Sequence, residues 1–172
     1  MRPDPDILQL ERELMTKKRA TAAEKFQLAK LYHDRGDFED AVEQLLAIEA
    51  AHDDFYAVYV ALGDVLLEGE WYEQAFEHYR TAYYTAPEVL DRAALLRFAL
   101  CAFHIGSERT AITLLQTVIE EQPSFEPAYR LLLGIYESMG DRKAAKQCQK
   151  QLQRVTSKTK PNVYLGSYLR QE

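Results

Sequence analysis

Alanines at positions 41, 75, 111 and 145 recur at intervals of 34, 36 and 34 residues, and this period restricts the fold more than any other feature of the chain. Each alanine stands near the start of an apolar segment of helical periodicity, just after a short turn holding Gly36, Gly69, Gly106 or Gly140. Pro87 and Pro123 also repeat at 36 residues and close two of the units. A repeat of this length is a two-helix brick whose apolar face is covered only when neighbours stack on it. The spacing predicts an all-α solenoid of about four helix pairs across residues 21–155, with units near 22–54, 55–89, 90–125 and 126–155. A capping helix within residues 1–20 and a tail over 156–172 flank the array.

Side-chain sizes follow the same plan. Ala29, Gly63 and Ala99 on first helices, with Ala41, Ala75 and Ala111 on second helices, let paired helices cross closely. Leu28, Leu31 and Tyr32 sit at helical spacing and are placed to fill the space between units. Thr21 and Glu24 form a capping-box pattern. Asp37, Ser107 and Asp141 are expected to cap second helices, Asp37 and Asp141 each following a glycine suited to the left-handed C′ position. Ahead of the array, Ile7, Leu10, Leu14 and Met15 make one apolar stripe. Tyr32, Tyr59, Tyr79, Tyr129 and Tyr136 fall on packing positions, whereas Tyr56, Tyr72, Tyr83 and Tyr84 have no such explanation.

Composition removes several functional classes. With 47% hydrophobic and 28% charged residues in 172, the chain has the balance of a folded globular protein. No apolar run approaches the roughly 20 residues that span a bilayer, and no secretory signal is visible, so a cytoplasmic protein without membrane insertion is expected. Net charge is −6, which argues against nucleic-acid binding. That charge is uneven, with 14 acids and 4 bases in residues 21–87 against 4 acids and 9 bases in residues 126–172. Neither His33, His52, His78 and His104 nor Cys101 and Cys148 show metal-ligand spacing, and no phosphate loop or nucleophile elbow occurs. Asp53 and Asp54 fall in an inter-repeat turn, and Cys101 lies on an apolar helix face. The expectation is a protein without catalytic activity, metal or cofactor.

Within the period, residues recur by type as well as by place. The second unit reads Tyr59, Leu62-Gly63, Leu66, Ala75, Tyr79, Ala82, Pro87, and the third reads Leu95, Phe98-Ala99, Ala102, Ala111, Leu115, Val118, Pro123. The first and fourth are degenerate, with Asp53 in place of the closing proline and Gln149 at a bulky position. This pattern resembles the tetratricopeptide repeat family. The resemblance implies a right-handed α-solenoid and a protein-interaction module, an adaptor or assembly scaffold and subunit of a multiprotein complex, that binds a peptide segment on a concave wall of first helices. By offset, that wall holds Phe26, Lys30, Val60, Asp64, Leu67, Leu96, Arg97, Leu100, Phe103, His104 and Arg130. The cations Lys30, Arg97 and Arg130 are placed as polar guides along an apolar strip. The family's carboxylate-gripping subclass needs asparagines that this chain lacks, its matching positions reading Phe26, Lys30, Asp64 or Ala61, Ala93 and Arg97. A second reading is a chaperone for a secreted or membrane-destined client, since small acidic repeat proteins of this kind resemble type III secretion chaperones. Val163, Tyr164, Leu165, Tyr168 and Leu169 turn the tail apolar again, either as a docking segment or as a strand of chain folded back on the last helix.

Overall fold

A computed structural model describes residues 5–16, 20–51 and 56–158. Among them are nine α-helices: α1 (Pro5–Thr16), α2 (Ala22–Arg35), α3 (Phe38–Glu49), α4 (Ala57–Glu68), α5 (Tyr72–Thr85), α6 (Arg92–His104), α7 (Glu108–Glu121), α8 (Glu126–Ser138) and α9 (Arg142–Lys158). Consecutive helices pack on one another from α2 to α9, and α4–α6 and α6–α8 also meet, so the first helices α4, α6 and α8 form one continuous wall. The result is an all-helical solenoid of four hairpins. A 3-10 turn, Pro87–Val89, takes up the two extra residues of the 36-residue interval between units two and three.

One hydrophobic core runs from Leu28 to Cys148 without a break. Ala41, Ala75 and Ala111 are fully buried where the helices cross, while Ala145 is only half-buried, α9 being the last helix among the described residues. Gly63 permits the closest approach: a Cβ there would lie 2.8 Å from the ring of Tyr79, itself fully buried. Such overlap forces side chains off their rotamers, so glycine is needed here for space rather than for backbone freedom. At the first hairpin, α1 lies on α2, with Leu10 against the core and the Tyr32 hydroxyl donating to the Glu11 carboxylate.

The four turns inside hairpins share one geometry. Residues 37, 71, 107 and 141 each donate a backbone N–H to the carbonyl five residues earlier, at 2.8–2.9 Å. This closure requires a left-handed residue just before each donor. Gly36, Gly106 and Gly140 supply it with φ of 85°, 76° and 71°, but in unit two the left-handed residue is Glu70 at φ 63°. Gly69, at φ −78°, is not the turn residue; a Cβ there would meet the Trp71 ring at 2.8 Å. The left-handed positions therefore recur at 36, 70, 106 and 140, in phase with the alanines.

Helix caps depart from expectation in two places. Thr21 and Glu24 make the complete capping box, and Asp141 accepts from the N–H groups of Lys143 and Ala144 at 3.1 and 3.0 Å. Asp37 and Ser107 make no side-chain cap. The Asp37 carboxylate is drawn to the Arg35 guanidinium two residues back, where a full charge outcompetes a backbone N–H. Asp91, unremarked in the sequence, caps α6 by accepting from the Ala94 N–H at 2.7 Å.

Candidate functional site

The expected groove residues form a lattice on the first-helix wall. Phe26, Val60, Leu96 and Arg130 occupy one row, Lys30, Asp64, Leu100 and Gly134 a second, and His33, Leu67, Phe103 and Glu137 a third. Within each helix the three rows stand at i, i+4 and i+7, which is one face of an α-helix. None of these residues is buried. Lys30, Arg130, Gly134 and Glu137 are exposed, and the apolar members are half-buried. Phe26, Val60, Leu67, Leu96 and Phe103 also lean on the core, so part of each side chain is spent on packing between helices. The apolar content concentrates on α4 and α6, and α8 contributes polar residues and the open Gly134.

Polar guides are fewer than the sequence suggests. Arg97 is not free: its Nε donates to Asp64 Oδ1 at 2.7 Å and its Nη2 to Asp64 Oδ2 at 3.1 Å, a two-pronged pair across α4 and α6. The Tyr79 hydroxyl, reaching through from α5, donates to Asp64 and lies 3.3 Å from Arg97 Nε. Burial and the Asp64 carboxylate hold the Tyr79 phenol well above its usual range. Burial pulls Arg97 down, but Asp64 and Tyr79 outweigh it and its net shift is upward. This triad locks unit two to unit three at the centre of the wall. Arg130 is engaged by Glu126 on its own helix at 2.7 Å, leaving Lys30 as the cation of the three with no acidic partner among the described residues.

The histidines join helices. His33 Nε2 lies 3.0 Å from Glu68, linking α2 to the end of α4. His104 does not stand free in the groove: one face stacks on Tyr72, with centroids 4.0 Å apart and planes 3° from parallel. His78 sits beside Tyr59 and 3.9 Å from Glu49. Among the described residues, no three His, Cys, Asp or Glu side chains are grouped to hold a metal ion, and no helix is long and apolar enough to cross a membrane. Cys101 is fully buried, and burial pushes its thiol up to about 12. His52, Asp53, Asp54 and the tail residues Val163, Tyr164, Leu165, Tyr168 and Leu169 lie outside the described residues.

Sequence reasoning missed the Asp64–Arg97 pairing, although both residues were assigned to the wall. Their separation of 33 residues, three short of the 36-residue interval between units two and three, was the available signal: it places an acid and a base on adjacent first helices about one helical turn out of register.

Family models described as tetratricopeptide repeat match residues 56–89, 93–124 and 127–159, spanning α4 to α9. A search of curated proteins by sequence returned no match. Solved structures with a similar fold include MamA, at 22% identity and TM-score 0.79 over 88% of this chain and 87% of that one. A fragment of MamA from Desulfovibrio magneticus RS-1 has 16% identity and TM-score 0.81, covering 90% of this chain and 86% of its own. YrrB, described as a TPR protein with an unusual peptide-binding site, has 17% identity and TM-score 0.77, covering 88% of this chain and 76% of its own. At such identities the likeness is one of fold.

Proposed function

Because this chain belongs to the tetratricopeptide repeat family, we propose that it is a noncatalytic scaffold that binds a peptide segment of a partner protein along α4 and α6. The observation that carries the reading is the half-buried apolar strip of Val60, Leu67, Leu96, Leu100 and Phe103 around the fixed Asp64–Arg97 pair. About a third of each charged side chain stays accessible, 30% for Asp64 and 32% for Arg97, so the pair can still offer polar contacts to a peptide backbone. Because partners already hold both groups, little side-chain entropy remains to be lost on binding. The described peptide site of YrrB supports the reading by likeness of fold.

Covering about 400 Å² of apolar surface gains about 10 kcal/mol gross. Lost translational freedom and peptide ordering remove several kcal/mol, which leaves an affinity in roughly the micromolar range. The tail from Val163 to Leu169 is proposed as a second attachment point, through which the protein joins a larger assembly. Peptides selected from a random library on the wild-type protein test the groove. Leu100→Asp and Phe103→Asp should each weaken them at least thirtyfold by fluorescence anisotropy while leaving the helical circular dichroism intact. Wild-type affinity in both variants would move the site elsewhere. Truncation after Thr156 tests the tail separately: unchanged complex mass on co-purification removes it.

A further inference from the structure

The outer side of the solenoid carries a second concavity that owes nothing to the first-helix wall. Between α5 and α7 lies a cleft of about 440 Å³ floored by the half-buried Phe76 and Tyr83, which pack on the buried Phe98. Phe98 is the centre of the cluster, with ring centroids 5.1 Å from Phe76 and 6.0 Å from Tyr83. The opening follows from local sizes and spacing. Large residues on α5 face the small Thr110 and Thr113 of α7, and the extra turn at Pro87–Val89 lengthens the link between these units. Second helices reach the next unit through its first helix, α5 on α6, which leaves the cleft open above Phe76 and Tyr83.

Two features mark the cleft as more than a packing gap. Tyr84, 77% exposed, stands edge-on to Tyr83 at the rim, a large aromatic left in water with no packing position in the repeat. Arg80 and Arg109 also line it. Arg80 is paired on the surface with Glu77, and Arg109 has no acidic partner among the described residues. Cations beside an aromatic floor complement an anion carrying an apolar group. At physiological salt the Debye length is about 8 Å, so these local charges, not the net charge of −6, set the attraction. Glu77, already paired with Arg80, disfavours a run of several acids along α5 and leaves a short segment with one or two carboxylates as the better fit.

We infer that the α5–α7 cleft binds a short acidic peptide segment, its apolar side chain entering over Phe76 and Tyr83 and its carboxylate meeting Arg109, with Arg80 beside it. This makes the protein a two-faced adaptor, with separate sites on first and second helices. The site stands independently of the groove reading, because it shares none of the residues assigned to the first-helix wall.

The hexapeptide Asp-Glu-Leu-Phe-Glu-Asp, blocked at both ends, is the probe, titrated into the ¹⁵N-labelled full chain. Expected are shifts of the Tyr84, Thr110 and Thr113 amides, absent with the counterpart carrying lysine for every acid. Arg109→Glu and Tyr84→Ala, both at exposed positions, should each weaken binding at least tenfold, and Leu100→Asp should leave it unchanged. The inference is overturned by shifts confined to first-helix residues or by no shift at millimolar peptide. It is equally overturned if Arg109→Glu binds like wild type, or if sedimentation shows a second copy already occupying the cleft.

Discussion

Removing the Asp64 carboxylate would cut the link between units two and three at its centre, and the cost can be worked from the geometry. Asp64→Ala deletes both prongs of the Arg97 pair and the acceptor of the Tyr79 hydroxyl. Hydrogen bonds to charged groups are worth about 1.5–3 kcal/mol each in mutational series. Three bonds to one carboxylate do not add, and with about 30% of the side chain accessible, water recovers part of the loss. Alanine also returns about 0.5 kcal/mol through helix propensity. The net expectation is a loss of about 2 kcal/mol, or roughly 6 °C in melting temperature for a chain of this size. Arg97→Ala should cost less, about 1–1.5 kcal/mol, because Asp64 keeps the Tyr79 hydroxyl. Urea titrations of both single variants and the double variant, followed by circular dichroism, give a coupling energy of about 1 kcal/mol if the pair acts directly. A smaller urea m value in the variants would show the array opening at this joint before the rest unfolds. Coupling below about 0.3 kcal/mol, or Asp64→Ala within 0.5 kcal/mol of wild type, would refute the triad as a structural lock.

Two further outcomes follow from the turns and the core. Glu70→Gly should stabilise the protein by about 0.5–1 kcal/mol in the same assay, since relief of left-handed strain at φ 63° exceeds the entropy glycine adds to the unfolded chain; a lower midpoint would contradict this. Burial raises the Cys101 thiol from 9.0 to about 12, so the folded state holds that proton more tightly than the unfolded state does. Its contribution is therefore complete below pH 9 and is lost as pH rises from 9 towards 12, at about 1.4 kcal/mol per pH unit. Denaturant midpoints between pH 8 and 10.5 should fall more steeply for wild type than for Cys101→Ala, and parallel profiles would exclude the thiol.

The period, the all-helical class and the alanine crossings were legible without coordinates because they follow from local spacing. A brick repeated at 34–36 residues must present the same faces to its neighbours each time. The glycine pattern was nearly as readable, but a glycine one residue early disguised the left-handed Glu70. Gly69 answers to the Trp71 ring, a contact that only the folded turn creates. The caps were half legible: Thr21 and Asp141 obey local rules, while Asp37 yields to a neighbouring arginine whose charge the capping pattern does not weigh.

Sequence order alone, then, determined a stack of hairpins with an apolar stripe on its first helices. Tertiary structure decided which polar groups on that stripe are spent and which are available. Asp64, Tyr79 and Arg97 are 15 to 33 residues apart, and only the stacking of α4, α5 and α6 brings them together. It also decided that Tyr83 and Tyr84 flank an open cleft rather than a filled core. The physical reason is one of range. Helical periodicity states which side of a helix leaves water, but contacts between units depend on the relative sizes and charges of residues that meet only after the helices have packed.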